Sequence, residues 1–516
     1  MTNIPQHLLN QLYNRNSLEY KDAHLFFSLK NRLIDAELTA IKYLSINNQS
    51  IDLNQIFLEI DTHEILAANS LSLNPPIPFP LKKVIRVCIQ NYSLPDGKHT
   101  LDIGFEALPF GLLEISVEDY LQSERPQTTK IPRNAQDDYS PEIIQERQNF
   151  IENFAQTSFQ HLKQFSFEPT LVQGNCEHFT GVAQIPLGFA GPLTVHGEHA
   201  QGEFLIPLAT TEGTLVASYN RGIQLINLSG GVKCTVLDDL MQRAPVFEFD
   251  NARGARDFSR WLLNHQDQIA KEAEQTSSII KLHSIDTYLS NNFVFPRFNF
   301  TTGDAAGQNM VGKATYESCH WIFEHYKEHP IRHFYLESNL ATDKKASHIN
   351  LMRTRGKRVV AECIVKKEIL LDKMRVAPEQ LFHHAQIANI ASIIAGANNN
   401  GLHAANALTA IFIATGQDVA NIAESSVGVL YTQLNPEGDL YVSITLPSLI
   451  VATYGGGTGL PTQKECLEIM GCYGQGKVFK FAEIVAGVVL AGEISLGAAI
   501  SSSDWVSSHE QYGRNR

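Results

Sequence analysis

The sequence predicts an α+β protein of more than one domain. Three observations carry that prediction. Leu101, Ile103, Phe105 and Ala107 alternate with other residues, as do Leu113, Ile115 and Val117, which is the period-2 pattern of half-buried strands. Ile143, Ile144, Phe150, Ile151, Phe154, Phe159 and Leu162 recur at roughly helical spacing. Residues 385–415 and 479–500 are rich in Ala, Gly and Ile, which predicts helices apolar on nearly all faces and buried in a large core.

Size and composition bound the rest. The chain has 516 residues, and at about 150 residues per domain its length suggests two to four domains. Apolar residues make up 43% and charged residues 18%, which suits a sizeable core and excludes a disordered chain. A net charge of −13 offers no basic footprint for nucleic acid or an anionic membrane surface. The seven cysteines are scattered without a C-x-x-C, so reduced thiols are expected, not a disulfide framework. No metal site is expected either, since H-E-x-x-H and clustered Cys/His are absent from the sequence. The most apolar stretch, 484–492, is bracketed by Glu483 and Glu493 and falls short of the ~20 residues of a membrane span. The first residues lack the basic and apolar regions of a signal peptide, so a soluble, cytoplasmic protein is expected.

Along the chain, residues 5–45 read as mainly helical and residues 55–120 as a small β domain, with a turn at Pro95-Asp96-Gly97. Residues 1–125 thus form a β-rich N-terminal domain that carries no catalytic constellation. Pro126 and Pro132 among polar residues mark a linker over 126–140. Ser140-Pro141-Glu142 opens a helix, with a capping serine, a first-turn proline and an acid at the positive end of the dipole. Gly-rich loops and short apolar runs fill 170–236. Residues 237–335 read as an α+β insert: a strand near Val246, a helix over 254–274, strands near Ile279 and over 293–300, and a helix from about Asp304. Residues 336–370 read as strand.

Four segments set ionisable groups beside glycine or small apolar residues. In Thr210-Thr211-Glu212-Gly213, a carboxylate in a neutral stretch suits partial burial, a raised pKa and proton donation; an exposed helix cap serves the same residues. Thr342-Asp343-Lys344-Lys345 offers a lysine to an oxyanion, or a solvated turn. Gly416-Gln417-Asp418 follows an apolar run, where an aspartate caps a helix or tunes a neighbour's pKa. Ser507-Ser508-His509-Glu510 lies in the tail, where a histidine is ordinarily solvated. Two further segments suit a nucleotide. Gly303 to Met310 follows a strand and opens a helix without being a G-x-G-x-x-G, and Gly455-Gly456-Gly457 lets a backbone approach a flat ligand. A tight turn explains each of these equally well.

In order and spacing, these segments together resemble the catalytic domain of the hydroxymethylglutaryl-CoA (HMG-CoA) reductase family. The resemblance includes Ile185-Pro-Leu-Gly-Phe-Ala-Gly-Pro-Leu193 and His403-Ala404-Ala405-Asn406, and covers about residues 140–516. Thr-Asp-Lys-Lys is similar to the class I form. Residues 1–125 lie outside it. The resemblance implies a large substrate domain (141–236 and 336–490) round a buried central helix, an inserted ferredoxin-like cofactor domain (237–335), and a C-terminal flap (491–516). It also implies homodimers or homotetramers with shared sites, in which Lys344 can come from a neighbouring chain.

The implied reaction is a four-electron reduction of an acyl-CoA thioester to a primary alcohol with NADPH, foremost HMG-CoA to mevalonate. The implied catalytic residues are Glu212, Lys344, Asp418 and His509, with Asp418 between Lys344 and Glu212. Asp304, Gly307, Asn309, Gly455, Gly456, Gly457 and Arg514 would bind the cofactor. Lys345, Asn406, Thr235 and Gln386 occupy the implied substrate site. The family pattern has cations where this chain has Thr235 and Gln386, and an arginine for the cofactor phosphate where it has Ser278. Those departures leave open the same reduction on a different acyl-CoA or a carrier-protein-bound acyl group. A catalytically silent nucleotide-binding paralogue is the most distant alternative.

Overall fold

The computed structural model describes residues 9–33, 35–61, 64–73, 75–122 and 129–502. The chain divides into two compact units. One is the chain through Thr129 together with Glu248–Asp250 and His320–His333, and the other is the remainder.

The N-terminal unit is built on ten strands: β1 (Glu19–Lys21), β2 (His24–Lys30), β3 (Ala36–Ile46), β4 (Gln49–Ser50), β5 (Ile56–Asp61), β6 (Glu64–Ala67), β7 (Ile77–Phe79), β8 (Val84–Ile89), β9 (Gly97–Leu108) and β10 (Gly111–Leu121). They form two sheets, β1-β2-β8-β5-β6 and β10-β9-β3-β4, with β7 also paired to β3. One core draws Leu25, Phe27, Ile85 and Val87 from the first sheet and Leu44, Leu101, Ile103 and Phe105 from the second. The predicted β domain therefore begins far earlier than residue 55, and the helix expected over 5–45 is replaced by β1, β2 and β3. The physical reason is irregular pairing. Strand β3 shifts register against β9 between Leu38 and Ala40 and again between Ile41 and Tyr43. Each shift adds a residue, so the buried Leu38, Ile41 and Leu44 fall three apart and imitate a helical period.

The second unit contains helices α1 (Pro141–Ala155), α2 (Leu215–Leu228), α3 (Ala252–Asn264), α4 (Gln266–Glu274), α5 (Gln308–His325, as far as Cys319), α6 (His348–Met352), α7 (Lys367–Met374), α8 (Pro378–Ile394), α9 (Ala404–Thr415), α10 (Ile422–Ser425), α11 (Pro461–Ile469) and α12 (Val478–Ser501). Its strands are β11 (Leu187–Gly197), β12 (Gln201–Ala209), β13 (Val232–Arg243), β14 (Val246–Glu248), β15 (Lys281–Ser290), β16 (Phe293–Thr301), β17 (His333–Tyr335), β18 (Gly356–Val365), β19 (Val429–Leu434) and β20 (Leu440–Leu449). They join in one sheet ordered β17-β14-β16-β13-β18-β20-β19, with β11 and β12 attached through β13 and β15 through β16. Strand β13 is the seam: Lys233–Leu240 pair with β18, and its last residues, Met241–Arg243, pair with β16.

Helix α12 runs through the core. It is long and apolar enough to cross a membrane, yet 83% of its most apolar window is buried inside the protein. Ile484, Val488, Leu490 and Ile494 pack among residues of α2, α9, β13 and β18. Gly222 and Gly492 allow close approach: a Cβ on Gly222 would strike the backbone of Ala491, and one on Gly492 the ring of Tyr219.

Three expectations are corrected here. Residues 385–415 do not form uniformly buried helix. Helix α9 is buried, but α8 buries only Pro378 and Leu381 and leaves Ile393 and Ile394 79% and 81% exposed. Apolar composition reports that a face needs covering, not that this chain covers it. Residues 336–370 hold one ten-residue strand, β18, between α6 and α7. The flap cannot begin at 491, because α12 continues unbroken to Ser501 on an apolar stripe that includes Ile494 and Ala498.

Candidate active site

Lys344 lies in a loop with unusual backbone geometry. Asn339, Thr342 and Lys344 have φ of 73°, 57° and 57°, in the left-handed region. Such conformations cost on the order of 1–3 kcal/mol each and persist only where surroundings enforce them. Here they do. Thr342 Oγ1 donates to Asn350 Oδ1 at 2.7 Å, and the Lys344 N–H donates to Glu424 Oε1 at 3.0 Å. The loop aims the Lys344 ammonium at Asp418, with Nζ 3.0 Å from Oδ2, both side chains about 40% exposed.

Asp418 is placed by a glycine contact. Gly416 ends α9 with φ 69°, and a Cβ on either Gly416 or Gly457 would collide with the other's carbonyl oxygen. Gln417 then locks the segment: its amide accepts from the Ala452 N–H at 2.7 Å and donates to the Ala452 carbonyl at 3.0 Å. Asp418 caps the next turn, accepting from the Ala420 N–H at 3.1 Å. The Gly-Gln-Asp segment and the triple-glycine loop are thus adjacent.

Beneath the Lys344–Asp418 pair lies a buried charge network. Arg355, 1% exposed, donates to Asp343 Oδ1 at 2.6 Å, to Glu424 Oε1 at 3.4 Å and to the Gln242 carbonyl at 3.3 Å. Glu424 is fully buried, and burial pushes its carboxyl pKa up against the pull of the N–H donors and Arg355. Gln308, the first residue of α5, donates its amide to Asn421 Oδ1 at 2.9 Å and to Asp343 Oδ1 at 3.4 Å. This bond ties the dinucleotide segment to the lysine loop. Sequence reading missed Arg355, Glu424 and Asn421, which lie far from the motifs and show no charge pattern of their own.

A second polar cluster surrounds His403. Its ring stacks on Tyr219 with centroids 4.6 Å apart. Nδ1 meets Asn406 Nδ2 at 2.8 Å and Nε2 meets Ser218 Oγ at 3.2 Å, so a neutral ring accepts from Asn406 and donates to Ser218. Burial first, and then Arg221, lower the His403 pKa to about 4. Arg221 is held by Ser495 through its carbonyl and hydroxyl at 2.9 and 3.0 Å. Glu493 on α12 accepts the N–H groups of Leu402, His403 and Ala404 at 2.6–2.8 Å, which fixes the start of α9.

The remaining predicted residues fall as follows. Glu212 is exposed, and the burial expected for it is not provided by its own chain, because Gly213 and Thr214 turn the segment outward before α2. Among the described residues no hydrogen bond or ion pair joins Glu212 to Lys344 or Asp418. Asp304 is already engaged: its carboxylate accepts the N–H groups of Gly476, Lys477 and Val478 at 2.8–3.2 Å and caps α12. Gly307 is buried with φ 79°, and Asn309 is exposed in the first turn of α5. Gly455 and Gly456 are exposed, with φ 83° and 57° and open space where a Cβ would stand. The Asp304 carbonyl accepts the Thr453 N–H at 3.0 Å, which joins the segment leading into the eighteen-residue α5 to the segment leading into these glycines; a helix start of that length can receive a dinucleotide pyrophosphate. Lys345 is exposed and donates to the Asp343 carbonyl at 3.0 Å. Thr235 is half-buried on β13 and Gln386 exposed on α8. His509 and Arg514 lie outside the described residues.

The structure brings together an exposed ammonium–carboxylate pair, Lys344–Asp418, above a buried charge network. Comparison with known proteins supplies the assignment. Residues 143–514 match the family described as hydroxymethylglutaryl-coenzyme A reductase, and residues 8–122 match the N-terminal domain of the same family. The chain is 42% identical over 406 residues to the 3-hydroxy-3-methylglutaryl-coenzyme A reductase of Pyrococcus abyssi, covering 77% of this chain and 95% of that one. It is 41% identical over 403 residues to the enzyme of that name from Methanothermobacter thermautotrophicus, covering 78% and 100%. A class II reductase of Streptococcus pneumoniae, described as bound to NADPH in open conformations, shares the fold with a TM-score of 0.52 at 20% identity, covering 69% of this chain and 96% of that one. The chain belongs to the HMG-CoA reductase family, whose members are NADPH-dependent oxidoreductases. Of residues 1–125, expected to stand outside the resemblance, residues 8–122 match the family's N-terminal domain.

Proposed function

We propose that this enzyme reduces HMG-CoA to mevalonate and free CoA in two hydride transfers. The observation that carries the reading is the Lys344–Asp418 ion pair, held by a strained loop that is tied through Gln308 to the dinucleotide segment. NADPH supplies both hydrides. The chain's own residues do the rest. Each reduction puts negative charge on a carbonyl oxygen, and the Lys344 ammonium, fixed from behind by Asp418, stabilises it. Glu212 donates the proton for the aldehyde step, and His509 protonates the departing thiolate. Gly455, Gly456 and the first turn of α5 with Asn309 would hold the cofactor, and Arg514 would supply a cation for its phosphate.

The site as proposed is completed by a second copy. Ile387, Ile390, Ile393 and Ile394 on α8 and Val429 and Tyr431 on edge strand β19 are all exposed. That apolar surface supports a homodimer in which the partner covers α8 and supplies the burial that Glu212 lacks. The core position of α12 supports an aqueous, cytoplasmic location for the enzyme.

The test is steady-state NADPH oxidation with HMG-CoA beside a Lys344→Ala control. Mevalonate formed by the wild type and not by the control supports the reading. Tight NADPH binding without turnover overturns it. Thr235 and Gln386 would then direct the search to acyl-CoA or carrier-bound thioesters without a distal carboxylate.

A further inference from the structure

We infer that Glu424 is a positioning residue for Lys344. The inference rests on the reading of Lys344 as the oxyanion-stabilising group. Three observations support it. Glu424 is fully buried, eighty positions away in sequence, and yet one of its carboxylate oxygens accepts the Lys344 backbone N–H at 3.0 Å. That N–H belongs to a residue at φ 57°, a conformation that a non-glycine residue keeps only when something holds it. The same oxygen, Oε1, takes the Nε–H of Arg355, whose other arm grips Asp343, the residue preceding Lys344. The loop is therefore held from below at two consecutive residues, through the Asp343 carboxylate and the Lys344 backbone N–H. The Lys344 side chain, fixed at its root, reaches Asp418.

The second carboxylate oxygen, Oε2, has no hydrogen-bond partner among the described residues. That asymmetry separates geometry from charge. Glu424→Gln keeps an oxygen at the Oε1 position, removes the charge and puts an amide NH2 where Oε2 stands. Glu424→Asp keeps the charge and draws the acceptor back by one methylene. If Glu424 positions Lys344, the aspartate variant is the damaged one.

The experiment compares wild type, Glu424→Gln and Glu424→Asp by steady-state kinetics, NADPH binding and amide exchange of the 341–346 segment. Glu424→Asp should lower kcat by at least about tenfold, since a misplacement of ~1 Å costs up to ~10²-fold. Its KM for HMG-CoA and Kd for NADPH should stay within about threefold, because only a transition-state contact is displaced. Glu424→Gln should retain kcat within about threefold. The Lys344 amide should exchange slowly in wild type and Glu424→Gln, and faster in Glu424→Asp. Wild-type kcat in Glu424→Asp, or equal damage in both variants, overturns the inference. So does a fall in NADPH affinity in step with kcat. If Glu424→Asp does not fold, exchange in Glu424→Gln decides: a protected Lys344 amide supports positioning through Oε1, and an unprotected one refutes it. A wild type that does not turn over HMG-CoA would sink the functional reading alone, because the exchange comparison needs no substrate.

Discussion

Protonating His403 should destabilise the folded catalytic unit. The ring is 7% exposed, stacked on Tyr219, and has a donor facing Nδ1 in the Asn406 amide. A second ring proton would point at that donor and stand beside the Arg221 guanidinium. The folded pKa of about 4 lies below the ordinary 6.5, so the stability contributed by the neutral ring is fully present above pH 6.5 and is lost as pH falls toward 4. A difference of about 2.5 units at ~1.36 kcal/mol per unit gives about 3 kcal/mol at most. At pH 5 about 2 kcal/mol of that is gone. The buried carboxyls of Glu424 and Glu493 work in the opposite direction, since burial raises their pKa and acid relieves the cost of ionising them. A bare pH profile therefore mixes signs.

The difference between wild type and His403→Gln isolates the histidine. Stability of the catalytic unit, followed by urea unfolding at pH 7 and pH 5, should show the gap between the two proteins shrink by about 2 kcal/mol at the lower pH. Carbon-13 NMR of labelled histidine, assigned by the same variant, should show the His403 ring neutral down to pH 5. A resonance titrating near 6.5, or a gap that does not change with pH, would refute the argument.

Lys344→Ala should cost at least about 10²–10³-fold in turnover while NADPH affinity, measured by fluorescence, stays within about threefold. Asp304→Asn should lower the Tm of the catalytic unit by about 2–4 °C through a weakened cap on α12. An unchanged Tm with lost NADPH binding would instead return Asp304 to the cofactor. Ile394→Glu should leave the fold intact and shift the protein to monomer in sedimentation velocity, with activity lost in parallel. Gln308→Met should keep NADPH binding and lower kcat, because the amide that joins α5 to Asp343 and Asn421 is gone; unaltered kinetics would show that the joint is idle.

Legibility in the sequence followed locality. Lys344, Asp418 and the glycines of 455–457 could be read because each sits in a short run whose composition is unusual by itself. Glu424 and Arg355 could not, because their meaning lies in a contact spanning 69 positions. The N-terminal sheets were half legible. Strands β9 and β10 pair without a shift over eleven residues and keep a clean alternation. Strand β3 carries two irregularities and lost it. Helix α8 was identified as apolar and misplaced as buried, since one chain's sequence does not say which surface will cover an apolar face. Glu212 is exposed in this chain, and a ten-residue window of sequence does not say what surrounds a carboxylate.

Helix α12 shows why so much of the site depends on groups that perform no chemistry. Two carboxylates inside an apolar helix should be ruinous, since each buried charge must be met by donors. Both are met in the same way. Glu483 accepts the N–H groups of Glu198, His199 and Ala200, and Glu493, ten residues and about 15 Å further along, accepts those of Leu402, His403 and Ala404. Asp304 performs the converse service, holding the first N–H groups of α12 itself. The helix therefore fixes the β11–β12 turn, the start of α9 with His403 and Asn406, and the dinucleotide segment against one rigid axis. Two carboxylates on the helix and one at its start, each matched to three consecutive backbone donors, join the three segments to it.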